Sequence, residues 1–274
     1  MDDTSCHSLS VQRVFDLAVR SGQSLRETEI EALQLGLVPA RYKRNLGTIG
    51  LEGQIKLLKT KVAVIGLGGL GGTVIELLAR FGVGRLAVAD RDEFEDSNLN
   101  RQILCNVGNL GRPKAEEAKF RVNNINPAVE VKAYTARVSE HNLPEIIDGC
   151  QVVVDALDSI PTRFYLEKIC KESAVPMVHG AIAGFLGQVM TIFPDDEGLV
   201  NVYGADEIGA PGLEVEIGTP CTTPFMVASL QVSEVLKIVL GWDDLLRNKL
   251  LMIDMKRMLV DRVDFTPFVE RIVT

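Results

Sequence analysis

The sequence predicts an α/β fold: a Rossmann-like, doubly wound, mostly parallel sheet with an antiparallel extension and a helical N-terminal arm. Three observations carry this. A short apolar run, Val62 to Ile65, meets Gly66-Leu-Gly68-Gly69-Leu-Gly71-Gly72, and Val74, Leu77, Leu78 and Phe81 then recur at helical spacing. Strand, glycine turn and helix form the first half of a βαβ unit. Further short runs alternate with helical stretches as far as residue 173. Finally, 274 residues with 46% hydrophobic content suffice for one large domain, or one plus an extension.

Taken in order, residues 1–50 form a polar, helical extension and arm. Val11, Val14, Phe15 and Ala18 share one helical face, as do Ile30, Leu33 and Leu37. Residues 51–274 form the α/β domain. After the βα unit at 62–81, Arg85 to Ala89 is the second strand and ends at Asp90. Residues 115–123 are helical, Glu130 to Tyr134 is the third strand, and Pro144 to Gly149 turns or coils. Val152 to Val154 is a buried strand ending in Asp155-Ala-Leu-Asp158. A helix spans Arg163 to Ser173, and a strand covers Pro176 to His179. Gly187 to Phe193 alternates and reads as antiparallel. Residues 195–222 are rich in glycine and acid and read as a crossover loop over the site. Thr223 and Pro224 read as N-cap and first-turn proline of the next helix. Leu250 to Met255 and Met258 to Val263 form a hairpin around Lys256-Arg257.

The glycine turn is G-x-G-x-x-G at Gly66, Gly68 and Gly71, with Gly69 between. Such a turn lets backbone approach a phosphate, and the helix start adds free N–H groups and a positive dipole end. Asp90 at the next strand end is placed to accept from a ribose hydroxyl. The motif does not choose the nucleotide, and on its own favours a nicotinamide or flavin enzyme. The next residues tilt that choice. Asp92, Asn98, Arg101, Gln102 and Lys114 follow Asp90 closely. Two cations flanking the carboxyl edge of the sheet suit a triphosphate that gains charge during transfer. Either one alone reads as solvated surface charge.

GLGGLGG, ADRDEFEDSNLNRQ and GRPKAE together resemble the ThiF/MoeB/HesA-type adenylyltransferase family of the ubiquitin-activating-enzyme-like superfamily. The likeness runs from about Arg41 to about Asp264. It implies ATP bound by Gly68, Gly69 and Asp90, and phosphate contacts from Asn98, Arg101, Gln102 and Lys114. It also implies a homodimer, because the second arginine of R-Y-x-R, here Arg44, reaches across to the partner's ATP in that family. The family's D-x-x-D-N pattern places its second acid on Mg²⁺; here that acid is Asp158, and Ser159 stands where asparagine is usual. The implied partner is a ubiquitin-like sulfur-carrier protein of molybdopterin, tungstopterin or thiazole synthesis, whose C-terminal carboxylate is adenylated. Asp155 reads more plainly as a strand-end cap.

Relatives often carry two C-x-x-C pairs for zinc. This chain has none, and Leu199 to Tyr203 stands where the first would fall, so no zinc is expected. His7, His141 and His179 show no ligand spacing, and His179 reads as a satisfied core histidine. Cys221, in Gly-Thr-Pro-Cys-Thr, precedes a helix start and resembles the thioester cysteine of larger ubiquitin activators; its plainer reading is a small apolar loop residue.

Net charge is −8 without a basic run, so nucleic acid is not expected as a partner. Five unevenly spaced cysteines fit free thiols in the cytoplasm, and the polar start MDDTSCHSLSVQR shows no signal core. Pro224 to Leu240 is interrupted by Gln231, Glu234 and Lys237, and is expected to be a buried helix rather than a membrane span. Two alternatives stand beside adenylation: an NAD-dependent oxidoreductase sharing the glycine turn, and an adenylating tRNA-base dehydratase.

Overall fold

The computed structural model describes residues 8–204 and 217–265. Strands β3 (Lys61–Ile65), β4 (Arg85–Ala89), β5 (Glu130–Tyr134), β6 (Val152–Asp155) and β7 (Met177–Ala183) are parallel neighbours. They continue into antiparallel β8 (Leu186–Ile192), β9 (Lys249–Asp254) and β10 (Leu259–Asp264). The spatial order is β10-β9-β8-β7-β6-β3-β4-β5. Two short strands at Ser8–Leu9 and Val38–Pro39, β1 and β2, form a separate parallel pair in the arm.

Alternation along β3 explains the layering. Val62 and Val64 point into a core built with α4 (Gly69–Phe81), α5 (Lys114–Ile125) and Thr222–Leu240, labelled α9. Ala63 and Ile65 point into the opposite core, with α6 (Leu143–Ile147) and α7 (Ile160–Glu172). Covering both faces is what forces a parallel strand to be apolar throughout. α9 is the one helix among the described residues long and apolar enough to cross a membrane. It instead packs on α4 and buries Val227, Ala228, Val232 and Val235.

In the arm, α1 (Val11–Ser21) and α2 (Leu25–Gln34) begin at serine caps, Ser10 and Ser24, the second with a reciprocal Glu27 capping box. The expected helix through Leu37 stops earlier, at Gln34, where Gly36 takes φ +77. A small core of Leu33, Val38, Tyr42 and Leu58 joins the arm to α3 (Leu46–Lys59). The division at residue 50 falls inside α3, where Gly50 breaks helical geometry at φ 67, ψ 178.

Other expectations change in detail. β7 continues past His179 to Ala183, because residues 180–183 pair with β8. Thr223 is no N-cap: α9 starts two residues earlier than expected, at Thr222 behind Cys221, and the buried Thr223 hydroxyl donates to the Gly184 carbonyl at 2.7 Å. This ties α9 to the β7–β8 turn. The stretch 195–222 begins with a short helix, α8 (Val200–Tyr203), and the rest of that expectation lies partly outside the described residues.

Candidate active site

The glycine turn sets the geometry. Gly66 leaves β3 at φ +90, and a Cβ there would meet the Ala156 carbonyl oxygen at 2.5 Å. A Cβ on Gly71 would lie 1.8 Å from the Gly66 carbonyl oxygen. These two glycines let α4 start close against the strand. We expect Gly71→Ala to cost about 3 kcal/mol through overpacking, since the obstacle is backbone and cannot swing away. A thermal melt showing an unchanged midpoint would contradict this contact. Gly68 differs, because a Cβ there would meet nothing nearer than Gln102 Nε2 at 3.7 Å. It is the N-cap of α4 and carries no side-chain cap, so the first amides of α4 are not capped by a side chain.

Around this turn lies a cavity of about 780 Å³ at the carboxyl ends of β3, β4 and β6. Its lining includes Gly66, Gly68, Gly69, Asp90, Asp92, Asn98, Arg101, Gln102, Lys114 and Asp158. Of the remaining predicted site residues, Gly71 lies behind the turn, and Arg44 and Cys221 are exposed and outside the lining.

Asp90 is held from the turn side. One carboxylate oxygen accepts the Leu67 N–H at 2.7 Å and the other the Asp92 N–H at 2.8 Å. Burial pushes its carboxyl above the usual range, against these amides and nearby Lys114. Each oxygen keeps a second lone pair for a ligand hydroxyl. Lys114 opens α5, is only 6% exposed, and has its ammonium 3.4 Å from the half-exposed Asp92 carboxylate. Arg101 Nη1 donates to the Ser97 carbonyl and to Asn100 Oδ1 at 2.8 and 3.0 Å. Asn98 Oδ1 accepts the Glu95 N–H at 3.2 Å, which fixes the loop carrying Arg101 and Gln102. Gln102 is 5% exposed, and its Oε1 has no partner among the described residues. A buried acceptor without a partner is costly unless something arrives to satisfy it.

Two features were not legible in the sequence. First, two further helices, α5 at Lys114 and α7 at Ser159, join α4 at Gly68 in presenting starts without a side-chain cap to the cavity. Their combined partial charge suits an anion, although the lining side chains hold as many acids as bases. Second, Arg163 lines the cavity and belongs to a buried network with Asp155, His179 and Tyr203. His179 is fully buried and bonded to Asp155 at 2.7 Å, the satisfied core histidine expected. Asp155 also caps the strand end by accepting the Leu157 N–H at 3.0 Å.

Among the described residues no cluster of three or more His, Cys, Asp or Glu stands ready for a metal. Asp158 offers a single exposed carboxylate to the cavity. That fits a cation completed by ligand phosphates and water, the habit of Mg²⁺, better than a cation held by protein alone.

Known proteins resemble this chain in sequence and in fold. A SAMP-activating enzyme E1 of Haloferax volcanii is 38% identical over 230 residues, covering 82% of this chain and 84% of the relative. A sulfur carrier protein adenylyltransferase of Thermus thermophilus is 36% identical, covering 78% and 82%. The adenylyltransferase and sulfurtransferase MOCS3 of Drosophila sechellia is 32% identical, and the chain spans only 48% of it. Among solved structures, E. coli MccB with ATP superposes with a TM-score of 0.71 at 20% identity, over 82% of this chain and 70% of that one, a likeness of fold. The ThiF family pattern matches residues 42–269, and the chain belongs to the ThiF family.

Proposed function

We propose that the chain is an ATP-dependent adenylyltransferase that activates the C-terminal carboxylate of a ubiquitin-like sulfur-carrier protein and releases pyrophosphate. The observation that carries this is the cavity's anion-directed build: uncapped helix starts, the buried Lys114 ammonium and the unpartnered Gln102 carbonyl at the sheet's carboxyl edge. The adenylyltransferase and E1 relatives support the same reaction class. They give no support to the oxidoreductase or tRNA-dehydratase alternatives.

A terminal carboxylate has a pKa of about 3.5 and is already ionised at neutral pH, so its attack on the α-phosphorus needs no general base. The difficulty is bringing two anions together. The turn amides and Lys114 hold the triphosphate, Asp90 accepts from the ribose, and Asn98, Arg101 and Gln102 approach the phosphates. Charge grows on the transferring phosphorus oxygens, and fixed donors there lower the barrier more than they tighten ground-state binding. Asp158 would hold Mg²⁺, which supplies neutralisation between phosphates when bound.

The lining's balanced side-chain charge leaves a triphosphate and a carboxylate under-neutralised. Arg44 lies outside its own cavity, so we assign it to the partner's site in a homodimer. The tyrosine beside it supports this. Tyr42 is fully buried, donates to Glu29 at 2.8 Å and accepts from Asn126 at 2.8 Å. The arm's root is thus pinned while Arg44 stays exposed. Cys221 keeps its proposed thioester role only for a step after adenylation, since it does not line the cavity. The cysteines Cys105, Cys150, Cys170 and Cys221 are free, which accords with a cytoplasmic setting.

ATP–pyrophosphate exchange with candidate carriers, from molybdopterin-type and thiazole-type systems, tests the reading. Exchange is expected with an intact carrier and not with one lacking its last glycine. Absence of exchange with every intact carrier, beside tight binding of NAD, would overturn it.

A further inference from the structure

Tyr203 ends α8, inside the glycine- and acid-rich stretch 195–222. Its hydroxyl accepts from Arg163 Nη1 and from Gln188 Nε2, the latter at 3.0 Å. A phenolic oxygen has two lone pairs and one proton. With both lone pairs engaged, the proton goes to His179 Nε2, 3.2 Å away. His179 then carries its own proton on Nδ1 and donates it to Asp155 Oδ2 at 2.7 Å. Burial favours the same neutral imidazole. Gln188 Nε2, 3.3 Å from His179 Nε2, offers a second donor to the same ring nitrogen, so both neighbours favour the tautomer protonated on Nδ1.

This network closes on the peptide next to Asp158. Asp155 Oδ1 accepts the Leu157 N–H at 3.0 Å. The Leu157 carbonyl accepts from Arg163 Nε at 3.2 Å and also from Nη2. Leu157 is thus gripped on both sides, and its neighbour Asp158 carries an exposed carboxylate at the cavity wall. We propose that Tyr203 and Arg163 are positioning residues that fix the place of Asp158 in the cavity through the Leu157 peptide. Asp158's task rests on the adenylation reading; the clamp itself does not.

Tyr203→Phe removes the hydroxyl but keeps the ring, whose edge packs on Phe164 with centroids 6.5 Å apart. Arg163→Lys keeps the charge and loses the forked grip on the carbonyl. In each full-length variant, deuterium uptake by the peptide spanning residues 156–159 is expected to quicken about five- to tenfold, the size of one lost hydrogen bond. With an intact carrier, kcat for pyrophosphate exchange should fall about tenfold while the KM for ATP moves less than twofold. Wild-type uptake at 156–159 in both variants would overturn the proposal, and so would faster uptake with unchanged kcat. If wild-type protein exchanges no pyrophosphate, the adenylation reading fails, while uptake, measured without carrier, still decides whether the clamp exists.

Discussion

Lys114→Ala should lower kcat/KM for carrier-dependent pyrophosphate exchange by about 10²–10³, the cost of removing one preorganised charge-stabilising donor. The unusual part of the expectation concerns stability. A cation in the first turn of a helix stands against the helix dipole, and here it is also 6% exposed with one carboxylate 3.4 Å away. Such an arrangement is unfavourable until an anion arrives. Without nucleotide, the variant's melting temperature should therefore equal or exceed that of wild type. Saturating ATP should raise the wild-type midpoint more than the variant's, as expected when a ligand binds only the folded state. A loss of activity accompanied by a large fall in the nucleotide-free midpoint would instead make Lys114 a packing residue.

Mixed dimers give the second large effect. Arg44→Ala and Asp158→Ala should each be nearly inactive as homodimers, since each removes one contributor from both sites. After subunit exchange, half the dimers are mixed, and each holds one site with Asp158 on one chain and Arg44 on the other. Activity should return to roughly a quarter of wild type, with both variants assayed alone as controls. No recovery, with exchange verified by differently tagged subunits, would place Arg44 outside the partner's site. In the homodimer proposed above, the arm would present Arg44 from a fixed root. Tyr42, Glu29 and Asn126 fix its root, so Arg44 presents from a braced base and loses little freedom on docking.

Where sequence was a good guide, local pattern and burial pointed the same way. β3, β4 and β6 emerged at or near their observed limits because a strand covered on both faces shows as an unbroken apolar run. The glycine turn was equally plain, because Gly66 and Gly71 answer to close backbone contacts inside a few residues. His179 and Asp155 were read correctly as core and cap, yet their shared purpose was hidden. Arg163 and Tyr203 are 40 positions apart, and nothing in the spacing of either announces the other. Thr223 misled for a similar reason. Its hydroxyl serves Gly184, 39 positions away, instead of capping the helix that follows. Hydrogen bonds across such separations depend on the finished sheet, which periodicity alone does not specify.

The three helix starts without side-chain caps around the cavity carry a consequence for variation. Their grip on an anion is made of main-chain amides, which every residue except proline supplies. Replacement of side chains other than the nucleotide contacts Asp90, Gln102 and Lys114 can retune chemistry and carrier choice while the main-chain share of nucleotide affinity persists. Libraries built on this scaffold should therefore yield many inactive members that still hold ATP.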